Sequence, residues 1–295
     1  MRGIDISHYN DWPFDYYTAK AYEESDFVIV KATQWESKYK YESYFAPAIK
    51  KVLADGKLAG AYHYATGKDP IKEADYFLSV VKPYLGQIIL ALDWEQGQND
   101  AWNKDTKWCS TFVDRVKEKT GLTCFLYTGM DGFKDCKNLA NKVPLWFAGY
   151  PNNNNSWAIP KWPSHYSTKP WSHYDIWQFT SGGDKIDRNI TNMTPTAWGK
   201  YTISEAETPS VSGSTLDLVI ATMQGKYGNG DTRREKLGTR YQEVQTIINH
   251  IARTDAKTLA KETMQGLYGN GDIRKAVLGD KYAAVQKIVN ETLNG

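Results

Sequence analysis

Long apolar runs are absent from the 295-residue chain, and so are the residue clusters that mark metal and disulfide sites. No stretch reaches the roughly 18 consecutive apolar residues of a membrane-spanning helix, which argues against membrane insertion. The three cysteines, Cys109, Cys124 and Cys136, are odd in number and form no CxxC pair, so they predict neither a disulfide framework nor a zinc site. The five histidines, at positions 8, 63, 165, 173 and 250, lack the spacing of metal ligands.

Charge of one sign is not in excess either, because 36 Lys and Arg residues stand against 34 Asp and Glu residues. Residues 214–295 hold twelve basic and nine acidic side chains, which excludes a polybasic clamp and leaves specific pocket binding. No G-x-S-x-G, H-E-x-x-H or P-loop motif occurs. We therefore expect no cofactor, no metal and no nucleic-acid partner.

Residues 1–200 alternate strand-like and helix-like segments. Strands are predicted at residues 2–6, 27–32, 58–64, 88–92, 123–127, 144–148, 174–178 and, weakly, 185–190. Helices are predicted at residues 43–54, 70–81 and 107–120, each with an apolar stripe. Eight strands with helical connections favour an α/β fold, a closed and mostly parallel TIM-like barrel. Residues 151–173 are too rich in Asn, Pro, Trp and Ser for ordinary helices, so we expect an irregular second half.

Two acidic residues stand at the end of the most apolar strand, in the sequence IILALDWEQ that starts at Ile88. Side chains alternate along a strand, so Asp93 and Glu95 are predicted to point into the same cleft. Two crowded carboxyl groups do not ionise together easily, so one would keep its proton near neutral pH and serve as a general acid. The alternative is a solvated strand end with two unrelated acids.

The ends of other strands supply matching side chains. Asp5 lies late in the first predicted strand and Asp187 in the last, and these strands are neighbours in a closed barrel. Four carboxyl groups at one rim without a His cluster suit glycoside hydrolysis better than metal chemistry. The remaining candidates are cationic, amide and aromatic groups for a sugar-binding cleft: Lys31, Tyr62, Tyr64, Tyr127, Trp146 and Gln178. Core packing is the alternative for each tyrosine, and His63 is predicted to face the other way, as a satisfied core histidine.

A linker and a repeat follow the predicted barrel. Residues 202–214 carry Ser, Thr, Glu, Pro and Gly with little apolar content, which indicates a linker. The segment MQGKYGNGDTRREKLG from Met223 recurs 41 residues later as MQGLYGNGDIRKAVLG from Met264. We predict a barrel at 1–201, a linker at 202–214, and repeats at 215–254 and 255–295, each repeat a bundle of three short helices. Units this small are expected to pack on each other or on the barrel.

Each repeat carries a Gly-Asn-Gly turn followed by an acidic and a basic residue. Turn chemistry explains the glycines, and Asp231, with Asp272 in the second copy, is predicted to cap the next helix. Arg233 and Arg274 would lie in the first turn, where a cation opposes the helix dipole. We therefore expect these two arginines to grip a carboxylate of a ligand.

Seven segments, in order, resemble the family 25 glycoside hydrolases, the phage and bacterial lysozymes: GIDISHYN, FVIVKAT, GAYHYA, LALDWEQ, FLYTG, PLWFAGY and DIWQFTSGG. The resemblance covers about residues 1–200, and the repeats resemble the type 7 cell-wall-binding repeat. It implies an irregular β/α barrel and cleavage of the β-1,4 bond between N-acetylmuramic acid and N-acetylglucosamine in peptidoglycan. The chain opens directly into a strand, so no signal peptide is predicted. Such an organisation resembles a phage endolysin, which is made in the host cytoplasm and reaches the wall through a holin.

The resemblance also implies roles for the acids. The family's Asp-x-Glu matches Asp93 and Glu95, with Glu95 as the acid that protonates the leaving oxygen. The first-strand aspartate matches Asp5, and the late aspartate matches Asp187 better than Asp184. The second catalytic group stays open: a nucleophile at roughly 5–5.5 Å from the acid, a water-activating base at roughly 6.5–9.5 Å, or a carboxylate that orients the substrate's own N-acetyl oxygen. We favour the last route, with Asp93 in that role and net retention.

Three other functions are compatible with parts of the pattern. A chitinase-like endoglycosidase or glucosaminidase on a related barrel also ends a strand in Asp-x-Glu, but Ala91 stands where a chitinase would have a further acid. A wall-binding protein with an inactive barrel is a different class, and the presence of all four acids argues against it. An amidase or peptidase would lack its metal ligands or its Cys/His pair.

Overall fold

The computed structural model describes residues 1–10, 16–36, 42–152, 154–181, 186–204 and 211–294. The chain divides into two compact units, Met1–Ala206 and Glu207–Gly295. Residues 205–210 of the predicted linker lie outside the described residues, and so does Asp184. Every helix within the described ranges is too short or too polar to span a bilayer.

The first unit is a closed barrel whose strands follow one another in chain order. Neighbouring strands pair in parallel from the first to the seventh, whereas the last strand runs antiparallel to both of its neighbours. The strands are β1 Arg2–Ile6, β2 Phe27–Gln34, β3 Leu58–Tyr64, β4 Ile88–Asp93, β5 Phe125–Thr128, β6 Leu145–Ala148, β7 Ile176–Thr180 and β8 Asp187–Thr191. The predicted closed, mostly parallel barrel is confirmed; the reversed last strand was not anticipated.

Helices cover the barrel unevenly. In the described part of the first unit they are α1 Tyr16–Glu23, α2 Phe45–Ala54, α3 Pro70–Val81, α4 Trp108–Thr120, α5 Phe133–Cys136 and α6 Pro195–Gly199. Helix α3 begins where predicted, because the Asp69 side chain accepts hydrogen bonds from the backbone N–H groups of Ile71 and Lys72. Residues 149–152 and 154–175, between β6 and β7, contain no helix, which confirms the expected irregular second half.

The barrel interior is packed with apolar side chains up to its carboxyl-end rim. Phe27, Ile29, Ile89 and Phe125 belong to one fully buried inner cluster, which also includes Trp198 of α6. A second, larger cluster fills the layer between the strands and the helices. The interior is therefore a core rather than a channel.

The second unit consists of two bundles of three helices, as predicted. The first repeat contains α7 Thr215–Met223, α8 Gly230–Leu237 and α9 Tyr241–Arg253, and the second contains α10 Ala256–Met264, α11 Gly271–Leu278 and α12 Tyr282–Asn294. The turn before each middle helix needs glycine, because Gly228 and Gly230 have φ angles of 72° and 55°. Gly269 and Gly271 repeat this conformation with φ angles of 68° and 55°.

Candidate active site

Inward-facing side chains change from apolar to polar toward the rim of the barrel. On β4 the inward series is Ile89, Ala91 and then Asp93, and the last of these lines a cavity of about 260 Å³. All ten side chains that the sequence suggested for a sugar cleft line this cavity: Asp5, Lys31, Tyr62, Tyr64, Asp93, Glu95, Tyr127, Trp146, Gln178 and Asp187. Ser7, Tyr9, Tyr150 and Ser181 line it as well and were not predicted.

The segment Asp93-Trp94-Glu95 continues the strand's alternation one step beyond its end. Strand β4 stops at Asp93, yet both Asp93 and Glu95 line the cavity. Trp94 between them is fully buried among the tryptophans of the outer core. Glu95 thus belongs to the loop after β4, and the Tyr64 hydroxyl holds that loop by donating to the carbonyl oxygen of Gly97 at 2.6 Å.

Asp5 is held by two amide groups that other side chains orient. Gln178 Nε2 and Asn189 Nδ2 each donate to Asp5 Oδ2 at 2.7 Å. The indole N–H of Trp146 donates to Asn189 Oδ1 at 2.8 Å, and the Tyr127 hydroxyl donates to Gln178 Oε1 at 2.7 Å. Because the carbonyl ends of both amides are taken by these donors, the NH₂ ends are left to face Asp5. The arrangement favours the ionised form of Asp5.

Two residues of this network escaped the sequence analysis. The Tyr150 hydroxyl donates to Gln178 Oε1 and lies 2.9 Å from the Tyr127 hydroxyl. Tyr150 stands two residues beyond the end of β6, so extending the strand-end argument into the following loop would have found it. Asn189 lies two residues after Asp187 on β8 and so shares its face, which was the available signal.

Lys31 brings a cation among the carboxyl groups. The pairing of β2 with β3 shifts register between Lys31 and Thr33, a bulge that sequence periodicity did not reveal. Lys31 Nζ donates to Gln34 Oε1 at 2.8 Å and lies 4.3 Å from the ring centroid of Tyr64. Burial lowers the pKa of Lys31 to about 8, while the nearby carboxyl groups act in the opposite direction. The side chain is therefore mostly cationic at pH 7.

Burial is the largest cause of the raised carboxyl pKa values at this site. It raises the pKa of Asp5 to about 7, against the hydrogen bonds from Asn189 and Gln178. It also raises the pKa of Asp93, where repulsion from Glu95 adds to the effect and Lys31 opposes it. Burial raises the pKa of Glu95 too, again against Lys31. The predicted crowding of carboxyl groups is present, with desolvation contributing more than mutual repulsion.

Asp187 reaches the rim by a route that the sequence argument did not contain. It is the first residue of β8 and pairs in register with Asp5 of β1. Because β8 runs antiparallel to β1, its amino end, and not its carboxyl end, lies at the rim. The geometry thus brings Asp187 to the cavity, while the reasoning from carboxyl ends of strands was wrong for this residue.

The aromatic residues form the floor of the cavity more than its walls. Tyr62 and Tyr127 are buried, and Trp146 is only 1% exposed, with its ring 4.7 Å from that of Tyr127. Trp146 therefore serves packing and the orientation of the Asp5 network. Tyr64 is half-buried, and Tyr9 is 78% exposed at the opening.

His63 is a core histidine, as predicted. It is fully buried on the side of β3 that faces the helices. Its Nδ1 lies 2.8 Å from Thr33 Oγ1, and its Nε2 lies 2.7 Å from Glu73 Oε2. Both ring nitrogens are therefore satisfied away from the cavity.

In the second unit, the two predicted arginines hold the turn that precedes their helix. Arg233 donates from Nε to the carbonyl oxygen of Gly228 at 2.9 Å, and from Nη1 to Gln245 Oε1 and Nη2 to Asn229 Oδ1, both at 2.8 Å. Arg274 makes the same three contacts with the equivalent residues Gly269, Gln286 and Asn270. This structural role explains a cation in the first turn. Contact of either arginine with a ligand stays a prediction.

The predicted capping position is wrong for Asp231 and for its equivalent Asp272, because the N-cap residues are Asn229 and Asn270. Helix α11 begins at Gly271 after Asn270, so Asp272 lies inside the first turn, where a negative charge still favours the dipole. Asn270 makes no capping hydrogen bond, and its Oδ1 accepts from Arg274 instead. Asp231 occupies the same place in α8, and its side chain lies outside the described residues.

Comparison with known proteins places most of the chain in two families. Residues 4–187 match the model of glycosyl hydrolases family 25, and residues 217–252 and 257–293 match that of the CW_7 repeat. No curated protein matches the chain.

Solved structures share the fold of the first unit. The catalytic domain of endolysin ply40 from bacteriophage P40 of Listeria monocytogenes is 29% identical, with a TM-score of 0.50 over 65% of this chain and 93% of that one. The muramidase from Acremonium alcalophilum is 24% identical, with a TM-score of 0.51 over 66% of this chain and 94% of that one. The family 25 glycosyl hydrolase from Bacillus anthracis is 16% identical, with a TM-score of 0.54 over 69% and 94%.

The family match spans more than half of the chain and contains the cavity's four acids, Asp5, Asp93, Glu95 and Asp187. The predicted glycoside hydrolase is thereby confirmed. The chain belongs to the glycosyl hydrolases of family 25.

Proposed function

We propose that the first unit is a lysozyme that hydrolyses the β-1,4 bond between N-acetylmuramic acid and N-acetylglucosamine in peptidoglycan. Membership of family 25 supports the reaction class. Similarity to an endolysin catalytic domain supports a wall substrate. The observation that carries the proposal is the gathering of Asp5, Asp93, Glu95 and Asp187 around one cavity that also holds Lys31.

Glu95 is the proposed general acid. Burial raises the pKa of its carboxyl group, so it keeps a proton closer to neutral pH than an exposed glutamate does. Its position in the loop after β4, only half-buried, leaves it accessible to a leaving oxygen in the cavity. Protonation of that oxygen is the step that makes the departing sugar a neutral alcohol.

Asp93 is the proposed carboxylate that orients the N-acetyl group of the reacting sugar. Its Oδ1 is buried and accepts no hydrogen bond from the described residues, so a group of the substrate can satisfy it. In the substrate-assisted route, Asp93 orients the N-acetyl group, whose oxygen attacks the anomeric carbon, and the overall reaction retains configuration. Lys31 acts against the rise in the pKa of Asp93 and of Glu95 alike, so its charge favours the ionised form of both carboxyl groups.

Asp5 and Asp187 complete the electrostatic environment. Both line the cavity, and Asp5 is held in place by Gln178 and Asn189. We assign to them the stabilisation of the positive charge that develops on the sugar ring as the bond breaks. Fixed groups of this kind contribute because they need no reorganisation during the reaction.

The same proposal covers the organisation of the whole protein. It divides the chain into a catalytic barrel at 1–201, a linker at 202–214, and wall-binding repeats at 215–254 and 255–295. The CW_7 matches support action at the bacterial cell wall. Asp231, Arg233, Asp272 and Arg274 are the candidate contacts to a muropeptide. We propose a phage endolysin, made in the host cytoplasm and released to the wall with the help of a holin.

Mass spectrometry of borohydride-reduced fragments from digested peptidoglycan tests the bond specificity. The proposal predicts reduced muramic acid at the new ends. Reduced glucosamine at the new ends would contradict the proposal and would identify the enzyme as a glucosaminidase. An uncut glycan with the protein still bound would leave only a wall-binding function.

A further inference from the structure

The two repeats share one hydrophobic core, although each is a bundle of three helices. Buried residues of both repeats, from Leu218 in α7 to Val289 in α12, form one continuous cluster. Helix α7 packs on α9 of its own repeat and also on α11 of the second repeat. The α7–α11 contact is therefore an interface between the two repeats.

Helices α7 and α11 run side by side in the same direction. At the start of α7, Leu216 Cδ1 lies 3.4 Å from the position that a Cβ on Gly269 would take, just before α11 begins. At the end of α7, Met223 Cε lies 3.3 Å from the corresponding position on Gly279, just after α11 ends. The first repeat thus contributes its first helix, α7, to the interface, and the second repeat contributes its second helix, α11. Because the two repeats use different surfaces, the arrangement is head-to-tail.

The interface uses α7 of the first repeat and α11 of the second. The equivalent helices, α10 of the second repeat and α8 of the first, therefore lie at the two outer ends of the pair of repeats. A Cβ on Gly228, the equivalent of Gly269, would meet only Thr232 of its own repeat among the described residues within 4 Å. The first repeat therefore lacks at α8 the neighbour that the second repeat has at α11.

Sequence differences between the copies follow this geometry. Val277 of α11 is fully buried, whereas its equivalent on α8, Lys236, is exposed. Ile220 of α7 packs against the shared core, whereas its equivalent on α10, Lys261, is exposed. Leu216 and its equivalent Lys257 show the same contrast. Leu216 lies beside Gly269 at the interface, and the same interface explains why Val277 and Ile220 are covered. The three equivalent lysines are exposed, as polar residues are in the terminal units of repeat proteins.

From this pattern we propose that the two repeats form a single cooperative binding unit, whose α7–α11 interface holds the two Gly-Asn-Gly turns in a fixed relation so that a repeating polymer binds both. Arg233 and Arg274 fix each turn to its own repeat by identical hydrogen bonds, so the interface is the element that relates one turn to the other. The polymer in question is a glycan strand with the same unit at regular intervals. This binding part rests on the proposed wall-binding function, whereas the cooperative folding does not.

Hydrogen exchange on the full chain tests the cooperative unit. Val277→Lys gives the second repeat the side chain that the first repeat carries at the same position, so the fold of one repeat accommodates it while the interface loses an apolar contact. We expect amides of α9, in the other repeat, to exchange at least about tenfold faster. The matched control, Lys236→Val, makes the reverse change at an open face and is expected to leave α9 and α12 unchanged. Wild-type exchange in α9 of the Val277→Lys variant would overturn the proposal, even if the second repeat itself unfolds.

Retention on purified peptidoglycan is the second readout. The Val277→Lys variant keeps both turns intact, yet we expect its apparent affinity for the wall to fall about tenfold or more, because the two sites no longer act together. Faster exchange in α9 with unchanged retention would overturn joint binding. If the wild-type protein does not bind peptidoglycan at all, the proposed wall-binding function fails, and the exchange result still decides whether the repeats form one cooperative unit.

Discussion

Asp5 and Asp187 pair in register across the antiparallel strands β1 and β8, the two strands that close the barrel. Because β8 is reversed, its first residue lies at the rim where the parallel strands end. A parallel β8 would have put Asp187 at the opposite end of the barrel. The direction of one short strand therefore completes the group of four acids around the cavity.

Asn189→Leu is expected to weaken catalysis through Asp5. The substitution removes one of the two donors to Asp5 Oδ2, and that hydrogen bond lowers the pKa of Asp5. The pKa of Asp5 should rise above about 7, and kcat/KM at pH 6 should fall roughly tenfold, the range of a hydrogen bond to a charged group. Tyr150→Phe is the control, because it removes one of two hydroxyl donors to Gln178 and should cost less. A wild-type pH profile for Asn189→Leu would contradict the role of this network.

Lys31→Met is expected to move the pH–rate profile. Lys31 acts against the rise in the pKa of both Asp93 and Glu95, so removing its charge should raise both pKa values further. Both limbs of the kcat/KM profile should shift to higher pH by about 0.5–1 unit. Lys31→Arg keeps the charge and should keep the profile, whatever it does to the rate. An unshifted profile in Lys31→Met would show that the ammonium group does not set these protonation states.

Asp93→Asn is expected to stabilise the barrel at neutral pH. Burial raises the pKa of Asp93 in the folded protein, so the folded state binds this proton more tightly than the unfolded state does. Wild-type stability should therefore fall as the pH rises above about 4, where the unfolded aspartate ionises. The Asn variant should gain about 1–2 kcal/mol in the free energy of unfolding at pH 7 and nothing at pH 4.

The measurement for Asp93→Asn is urea unfolding followed by tryptophan fluorescence at both pH values. All eleven tryptophans lie within residues 1–200, so the signal reports on the barrel alone. A variant that is less stable than the wild type at pH 7 would show that ionised Asp93 is favourably solvated in the folded state.

Truncation to residues 1–206 is expected to separate hydrolysis from wall retention. The first compact unit ends at Ala206 and has its own core, so the shortened protein should fold and should cleave soluble glycan fragments at close to the wild-type rate. Pelleting with purified walls should decrease at least about tenfold, because the repeats no longer tether the enzyme. A truncated protein that pellets as well as the full chain would place wall binding in the barrel.

Local patterns predicted most of the barrel and most of its cavity. The alternation in IILALDWEQ placed Asp93 and Glu95 on one side and Trp94 on the other, and this alternation survives even though β4 ends at Asp93. His63 was assigned to the core by the same argument, since it lies between two tyrosines that face the cavity. Apolar periodicity thus reports correctly on which way a strand residue points.

Long-range pairing is the part that local patterns did not determine. The reversal of β8 depends on its pairing with both β1 and β7, and nothing within the five residues of β8 encodes a direction. The hydrogen bonds of Asn189 with Asp5 and Trp146 are likewise long-range, although its spacing of two residues from Asp187 already indicated that it shares the face of that residue on β8. The helix cap assigned to Asp272 failed because the N-cap is Asn270, two residues earlier, and the helix begins at Gly271.

Glu95→Gln tests most directly whether this carboxyl cluster cleaves the glycan. The variant keeps the size of the side chain and removes the proton that the leaving oxygen needs, so we expect the release of new reducing ends from purified walls to fall by about 100-fold or more. Pelleting with the walls should stay at the wild-type level, and Glu291→Gln, a carboxyl-to-amide change in α12, should leave both readouts unchanged. Hydrolysis by Glu95→Gln at more than a few per cent of the wild-type rate would contradict the assignment of Glu95 as the acid.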